Sequence, residues 1–125
     1  MFPIFVLTKF MKTVVLQKLR KQEEDNYLLA ERYYTILSAV NDLKLTQREL
    51  QLLAFAAIRG NISYANIRKD FCEKYGTTNA SINNIISRLK KLGVLVKDGT
   101  KVKVNSKIVL NFENDITLEI RLVHR

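Results

Sequence analysis

The sequence has very few of the residues from which catalytic and metal sites are built. Its 125 residues include one cysteine, Cys72, and one histidine, His124. A single cysteine excludes an internal disulfide, and no group of Cys, His and carboxylate residues has metal-ligand spacing. There is also no nucleophile motif and no glycine-rich phosphate loop. We therefore predict that the protein is not an enzyme and uses no metal or cofactor.

Long apolar runs are missing as well. The most apolar stretch, 1–16, is interrupted by Lys9 and Lys12, and neither a basic segment before it nor a small-residue cleavage site after it marks a targeting signal. It is too short to span a bilayer. We interpret it as one or two β-strands, with Met11 as an alternative start. No membrane partner and a cytoplasmic location are expected.

The overall composition is that of one ordinary globular domain, with 47% hydrophobic and 26% charged residues. Basic residues are in excess, because 21 Lys and Arg stand against 12 Asp and Glu, for a net charge of +9. Such an excess favours an anionic partner such as nucleic acid or an acidic surface.

Apolar periodicity and end signals predict four helices. Thr46 and Glu49 form a capping box before the second helix, and Ser63 is expected to cap the third. Glycine occurs only four times, and three of the four glycines follow predicted helix ends, where a left-handed residue is favoured. The four helices are predicted over residues 26–42, 46–60, 63–76 and 78–92.

The remaining segments have the period of β-strands. Residues 94–97 and 100–104 flank Asp98-Gly99, which predicts a tight type I′ hairpin. A second hairpin is predicted from 108–112 and 116–123, and residues 13–19 are predicted as a strand near the N-terminus. The terminal strands either pair with each other and extend the first hairpin's sheet, or add to a neighbouring subunit.

Two segments, Leu45-Thr-Gln-Arg-Glu-Leu50 and the run from Ala80 to Leu95 that ends in Arg-Leu-Lys-Lys-Leu-Gly-Val-Leu, resemble a winged helix-turn-helix domain. The similarity is to MarR-type regulators, whose recognition helix and wing correspond here to helix 78–92 and hairpin 94–104. The resemblance covers 45–104, about half the chain, and implies a winged helix-turn-helix with three to four helices and a basic β-hairpin wing. The strands predicted at the two ends lie outside it, so the expected fold is α+β, with an N-terminal strand and helix at 1–44 as an oligomerisation element, the winged helix-turn-helix at 45–104 and a C-terminal hairpin extension at 105–125.

Helix 78–92 has one apolar side and one side without any acid. At 100° per residue the outward positions are small, amide, hydroxyl or cationic, which suits a major groove. Charge is concentrated in the same region, since residues 77–107 hold seven basic residues and one acid, Asp98. Lys101 and Lys103 lie two apart on one strand, so both are expected to point to one face and follow a phosphate backbone. The predicted DNA contacts are Thr78, Ala80, Ser81, Asn83, Asn84, Ser87, Arg88, Lys91, Lys97, Lys101 and Lys103.

The resulting hypothesis is a transcriptional regulator that binds double-stranded DNA as a homo-oligomer, most simply a dimer. A polar cationic helix side is also typical of a face that is merely solvated. The alternative function is a structural or assembly protein of a bacteriophage particle, which would use the same fold for contacts with other phage proteins. A protein that binds DNA through helix 78–92 needs the outward side of this helix exposed. An assembly subunit instead buries that side, or the terminal strands, against another chain.

Overall fold

A computed structural model describes residues 12–20 and 25–123, which form an α+β fold of four helices and two small antiparallel sheets. The strand expected before residue 12 lies outside the described residues. A single turn of 3₁₀ helix, Ser106–Ile108, follows the first hairpin. In chain order the elements are β1 (Lys12–Leu19), α1 (Asn26–Val40), α2 (Gln47–Arg59), α3 (Ala65–Tyr75), α4 (Asn79–Lys91), β2 (Leu95–Asp98), β3 (Lys101–Val104) and β4 (Ile116–Val123).

Local side-chain hydrogen bonds determine where three of the helices begin. The carboxylate of Asp25 accepts from the Leu28 amide at 3.0 Å and caps α1. The capping box of Thr46 and Glu49 is present at α2 as predicted. Thr78 caps α4. Each of these side chains satisfies an amide that the first helical turn leaves without a partner.

The third helix begins differently from the prediction. Ser63 does not cap α3, because its hydroxyl accepts a hydrogen bond from the Val102 amide of β3 at 2.6 Å. The turn before α3 is instead formed by the buried Asn61, whose side-chain oxygen accepts from the amides of Ser63 and Tyr64. Together with a backbone bond from Ile62 to Val102, these contacts fasten the α2–α3 connection to β3.

One cluster of buried side chains joins all parts of the described chain. α1 packs along α2, and the rings of Tyr33 and Tyr34 meet Phe112 from the C-terminal region at 5.7 and 5.8 Å. Phe55 of α2 lies against Phe71 of α3. Within the described residues, no helix has both the length and the hydropathy needed to cross a bilayer.

The first hairpin is present, but its turn lies one residue later than predicted. Asp98 pairs with Lys101, so the two turn residues are Gly99 and Thr100 rather than Asp98 and Gly99. Gly99 has a φ of 63°, a left-handed conformation that glycine adopts without steric cost.

The predicted second hairpin is wrong. Residues 108–112 are not a strand: the chain leaves the 3₁₀ turn in an irregular path on which Phe112 is buried and Ile108 accepts a hydrogen bond from the Tyr34 hydroxyl at 2.8 Å. β4 pairs with β1 instead, from Lys12 opposite Val123 to Leu19 opposite Ile116. The terminal strands therefore do pair with each other, but as a separate sheet that does not extend the β2–β3 sheet.

Candidate nucleic-acid interface

A short turn connects α3 to α4. The C-terminal cap of α3 is Gly76, which has a φ of 65° and whose amide donates to the Cys72 carbonyl at 2.8 Å. α4 begins only three residues later. Ile82, Ile86 and Leu89 of α4 are buried in the core, so the opposite side of the helix is turned outwards.

We define the outward face of α4 as Ala80, Asn84, Ser87 and Lys91, all of which are exposed. The face contains no acid, and Lys90 adds a second exposed cation next to it. These four residues are the ones that the helical spacing placed at the centre of the predicted surface.

Three predicted contact residues outside this face have local hydrogen-bond partners. Thr78 is exposed, and its hydroxyl accepts from the amide of the half-buried Ser81 at 3.3 Å, so both serve the start of the helix. Asn83 is exposed, and its side-chain oxygen accepts from Arg68 at 2.7 Å. The same guanidinium donates to the Ile62 carbonyl at 3.0 Å, so Arg68 connects the α2–α3 turn to α4.

The side chain of Arg88, at the border of the outward face, is directed back towards the protein. Its guanidinium forms an ion pair with Glu49 of α2 and donates to the carbonyls of Leu43 and Lys44, each at 3.3 Å. That Arg88 contacts DNA therefore stays a prediction, and in this structure its guanidinium is engaged within the protein. The spacing placed Arg88 at the border of the outward face, and its long side chain turns towards the acid and carbonyls at the α2 N-terminus.

Glu49 is the buried centre of this contact, with 5% of its surface exposed. Its carboxylate accepts from Arg88 and from the Thr46 amide, the latter at 2.8 Å. Burial alone raises the pKa of the Glu49 carboxyl, but the hydrogen bonds from Arg88 and Thr46 outweigh it and hold this pKa below its ordinary value. Glu49 therefore stays charged and fixes Arg88 between α2 and α4.

The three lysines of the hairpin are divided between its two faces. Lys101 and Lys103 share one face, as predicted, but the Lys101 ammonium lies 5.6 Å from the centre of the Tyr64 ring and Lys103 pairs with Asp98 at 3.2 Å. Lys97 is exposed and lies opposite Val102, on the other face of the hairpin. Exposed pairs of this kind are weak, so both engaged lysines remain able to exchange partners for a phosphate.

Three residues of α3 and its N-terminus lie beside this surface and were not predicted as contacts. Arg68 and Lys69 line an open groove of about 540 Å³ that also touches Asn79 and Asn83 of α4. Tyr64 is 46% exposed, and the Lys101 ammonium lies over its ring. The spacing gave no signal for these residues, because their positions depend on how α3 packs against α4 and the hairpin.

In the part of the chain that the structure describes, no three His, Cys, Asp or Glu residues lie close enough together to hold a metal ion. Comparison with known proteins finds no family model, no curated protein and no solved structure that matches the chain.

Proposed function

We propose that the protein is a winged helix-turn-helix DNA-binding protein, a cytoplasmic transcriptional regulator that reads duplex DNA with α4. The observation that carries the proposal is the outward face of α4, which is exposed, free of acids and followed directly by a basic hairpin. In this assignment α3 and α4 are the helix-turn-helix, and β2 with β3 is the wing.

The connections between these elements support this assignment. Ile62 and Ser63 bond to Val102 of the wing, Asn105 donates to Val94 across its base, and Val94 donates to Leu89 of α4. A helix and hairpin fastened to each other in this way approach a duplex as one rigid surface. Base contacts need such fixed geometry, since a donor displaced by an ångström no longer meets its acceptor.

The chemistry of the outward face suits a major groove. From Ala80 to Lys91 the helix rises about 16 Å, which matches about five base-pair steps. The Ala80 methyl permits close approach, the Asn84 amide can pair with an adenine edge, and Lys91 can meet guanine or phosphate. The wing lysines and Arg68 would hold the flanking backbone, which positions the protein without reading sequence.

Arg88 has a positioning role in this scheme. By tying α4 to Glu49 and to the α1–α2 loop, it fixes the angle at which α4 leaves the protein. Its removal would weaken binding to every sequence alike and would also lower stability. This differs from loss of a base contact, which affects only the preferred sequence.

Fluorescence anisotropy separates these roles by comparing the affinity for a duplex of the preferred sequence, obtained by selection, with the affinity for a random duplex. The first is called the selected duplex. Asn84→Ala should weaken binding to the selected duplex by about 5- to 150-fold, the equivalent of 1–3 kcal/mol, and leave the random duplex almost unchanged. Arg88→Ala should weaken both duplexes by the same factor. The matched control is Asn114→Ala, which removes an exposed amide from the loop before β4 and should change the affinity for neither duplex.

Two results would contradict the proposal. If the wild-type protein does not bind duplex DNA at low salt, the outward face belongs to a protein partner, as in the phage assembly alternative. If Asn84→Ala and Asn114→Ala behave alike, α4 does not read bases.

A further inference from the structure

The sheet formed by β1 and β4, here called the ribbon, exposes an unusual amount of apolar surface. Its base is buried in the core, where Leu19 is 3% and Ile116 is 8% exposed. Farther along the same face, Leu118 and Ile120 are half-buried, and Leu122 is 51% exposed. This apolar face carries no charged residue among those whose side chains are described, and it loses its cover as the ribbon leaves the body of the protein.

The ribbon is also incomplete as a sheet. Within residues 12–20 and 25–123, β4 has β1 on one side and no strand on the other. A two-stranded sheet is only marginally stable in water, and an open edge presents a row of backbone donors and acceptors. A third strand beside β4 would satisfy both needs.

The sequence of β4 is complementary to a second copy of itself in an antiparallel arrangement. Leu118-Glu119-Ile120-Arg121-Leu122 has an acid and a base at equal distances from a central isoleucine, with a leucine beyond each. In an antiparallel pair centred on Ile120, Glu119 lies opposite the partner's Arg121, and Leu118 lies opposite the partner's Leu122. Cross-strand pairs of opposite charge and of apolar side chains are the pairs that stabilise a sheet.

We propose that the protein forms a two-fold dimer in which β4 pairs with β4 of a second copy around Ile120. The result is a four-stranded sheet in the order β1-β4-β4-β1, with one continuous apolar face. The two bodies then lie at opposite ends of the sheet, because each is attached at its own Ile116. This interface is independent of DNA binding and is tested without DNA.

The charges of β1 disfavour the same arrangement at the other edge. Antiparallel self-pairing centred on Val15 places Lys12 opposite the partner's Lys18, and centring it on Leu16 places Lys12 opposite the partner's Arg20. Both registers set like charges against each other, which destabilises a sheet. β4 offers opposite charges at the corresponding positions, so its edge is the one assigned.

The decisive experiment is a charge exchange, read out by size-exclusion chromatography with light scattering over a micromolar concentration series. Glu119→Arg and Arg121→Glu each create two like-charge pairs in a homodimer, so each should raise the dimer dissociation constant by roughly 30-fold. Mixing the two variants restores both opposite-charge pairs and should restore the dimer, as should the double exchange in one chain. Lys18→Glu, an exposed change of the same size on β1, is the matched control and should leave the dimer intact.

A cysteine at Ile120 tests the position of the two-fold axis. In a Cys72→Ser background, Ile120→Cys sets two thiols directly opposite each other and should give a disulfide-linked dimer on mild oxidation. Leu118 is half-buried on the same face as Ile120. In the proposed dimer the two copies of residue 118 lie four residues apart along the strands, about 13 Å, so Leu118→Cys should not crosslink. The proposal is overturned by a monomeric wild-type protein, by failure of the mixed variants to associate, or by equal crosslinking at 118 and 120.

Discussion

Replacing Glu49 with glutamine removes one negative charge at the point where α2, α4 and the α1–α2 loop meet. Glutamine has the same shape and still accepts the Thr46 amide, because glutamine also serves in capping boxes. The change therefore leaves the cap in place and replaces the ion pair with Arg88 by a hydrogen bond between the charged guanidinium and a neutral amide oxygen.

The expected loss of stability follows from the exposure of the two partners. The change removes the ion-pair attraction but keeps a hydrogen bond whose donor is still charged, and ion pairs with an exposed partner contribute about 0.2–1 kcal/mol. The Glu49 side chain is 7% exposed and that of Arg88 is 42% exposed, so the burial of Glu49 places this pair near the upper end while solvent screening around Arg88 keeps it from being larger. We expect a loss of about 1 kcal/mol at pH 7, or about 3–5 °C in Tm for a domain of this size.

The same pair predicts a pH dependence with a definite sign. The folded-state pKa of Glu49 lies below its ordinary value of 4.5, so its stabilisation is full above that value and is lost as the pH falls through the folded-state pKa. Urea unfolding of the wild type and Glu49→Gln should therefore differ at pH 7, and the two should converge as the pH falls through the folded-state pKa, which lies below 4.5. Equal stability at pH 7, or a difference that persists at low pH, would refute the role given to this charge.

Three further changes test the fold. Asn61→Ala removes the acceptor for two amides before α3 and should cost about 1–2 kcal/mol in urea unfolding, whereas Asn61→Asp keeps the acceptor and should cost less. Tyr34→Phe removes the hydrogen bond to the Ile108 carbonyl and should cost about 1 kcal/mol, with Phe112 still packed against the ring; an unchanged Tm would show that this bond adds nothing. Gly76→Ala should cost about 1 kcal/mol purely from its left-handed backbone, since a Cβ there meets no atom within 4 Å, and Gly76→Asn should be better tolerated.

The half-buried Tyr75 at the end of α3 gives a spectroscopic prediction. Burial, with a smaller contribution from Glu31 and Asp25, raises the pKa of Tyr75 to about 12. Ultraviolet titration of the wild type minus Tyr75→Phe should show this ionisation only near pH 12. An ionisation near pH 10 would place the Tyr75 ring in solvent instead.

Several features that local sequence determines were predicted correctly, although the cap of α3 and the exact turn of the first hairpin were not. The capping box of Thr46 and Glu49, the left-handed Gly76 and the apolar spacing of α4 each act within one or two turns of chain. Long-range choices were not accessible in the same way. β1 and β4 come from opposite ends of the chain, and nothing within β4 indicates that its partner is β1 rather than residues 108–112.

The residues of the candidate site also fall into those predictable from local sequence and those that depend on tertiary packing. Helical periodicity placed Ala80, Asn84, Ser87 and Lys91 on the outside of α4, as the structure has them. It could not assign Arg88, because that side chain lies at the border of the face and its direction depends on an acid 39 positions earlier in the chain. The same holds for Arg68 and its bond to Asn83, which depend on the packing of α3 against α4.

The most direct test of DNA binding by α4 is the salt dependence of duplex affinity in wild type, Lys91→Ala and Lys74→Ala. Lys74 carries the same charge on α3, where its ammonium lies over the rings of Tyr27 and Tyr75 and away from the outward face of α4. Wild type should show a slope of log affinity against log salt of about −4 to −5, which Lys91→Ala reduces in magnitude by about one and Lys74→Ala leaves unchanged. Equal slopes for all three proteins, or no binding at low salt, would contradict the account.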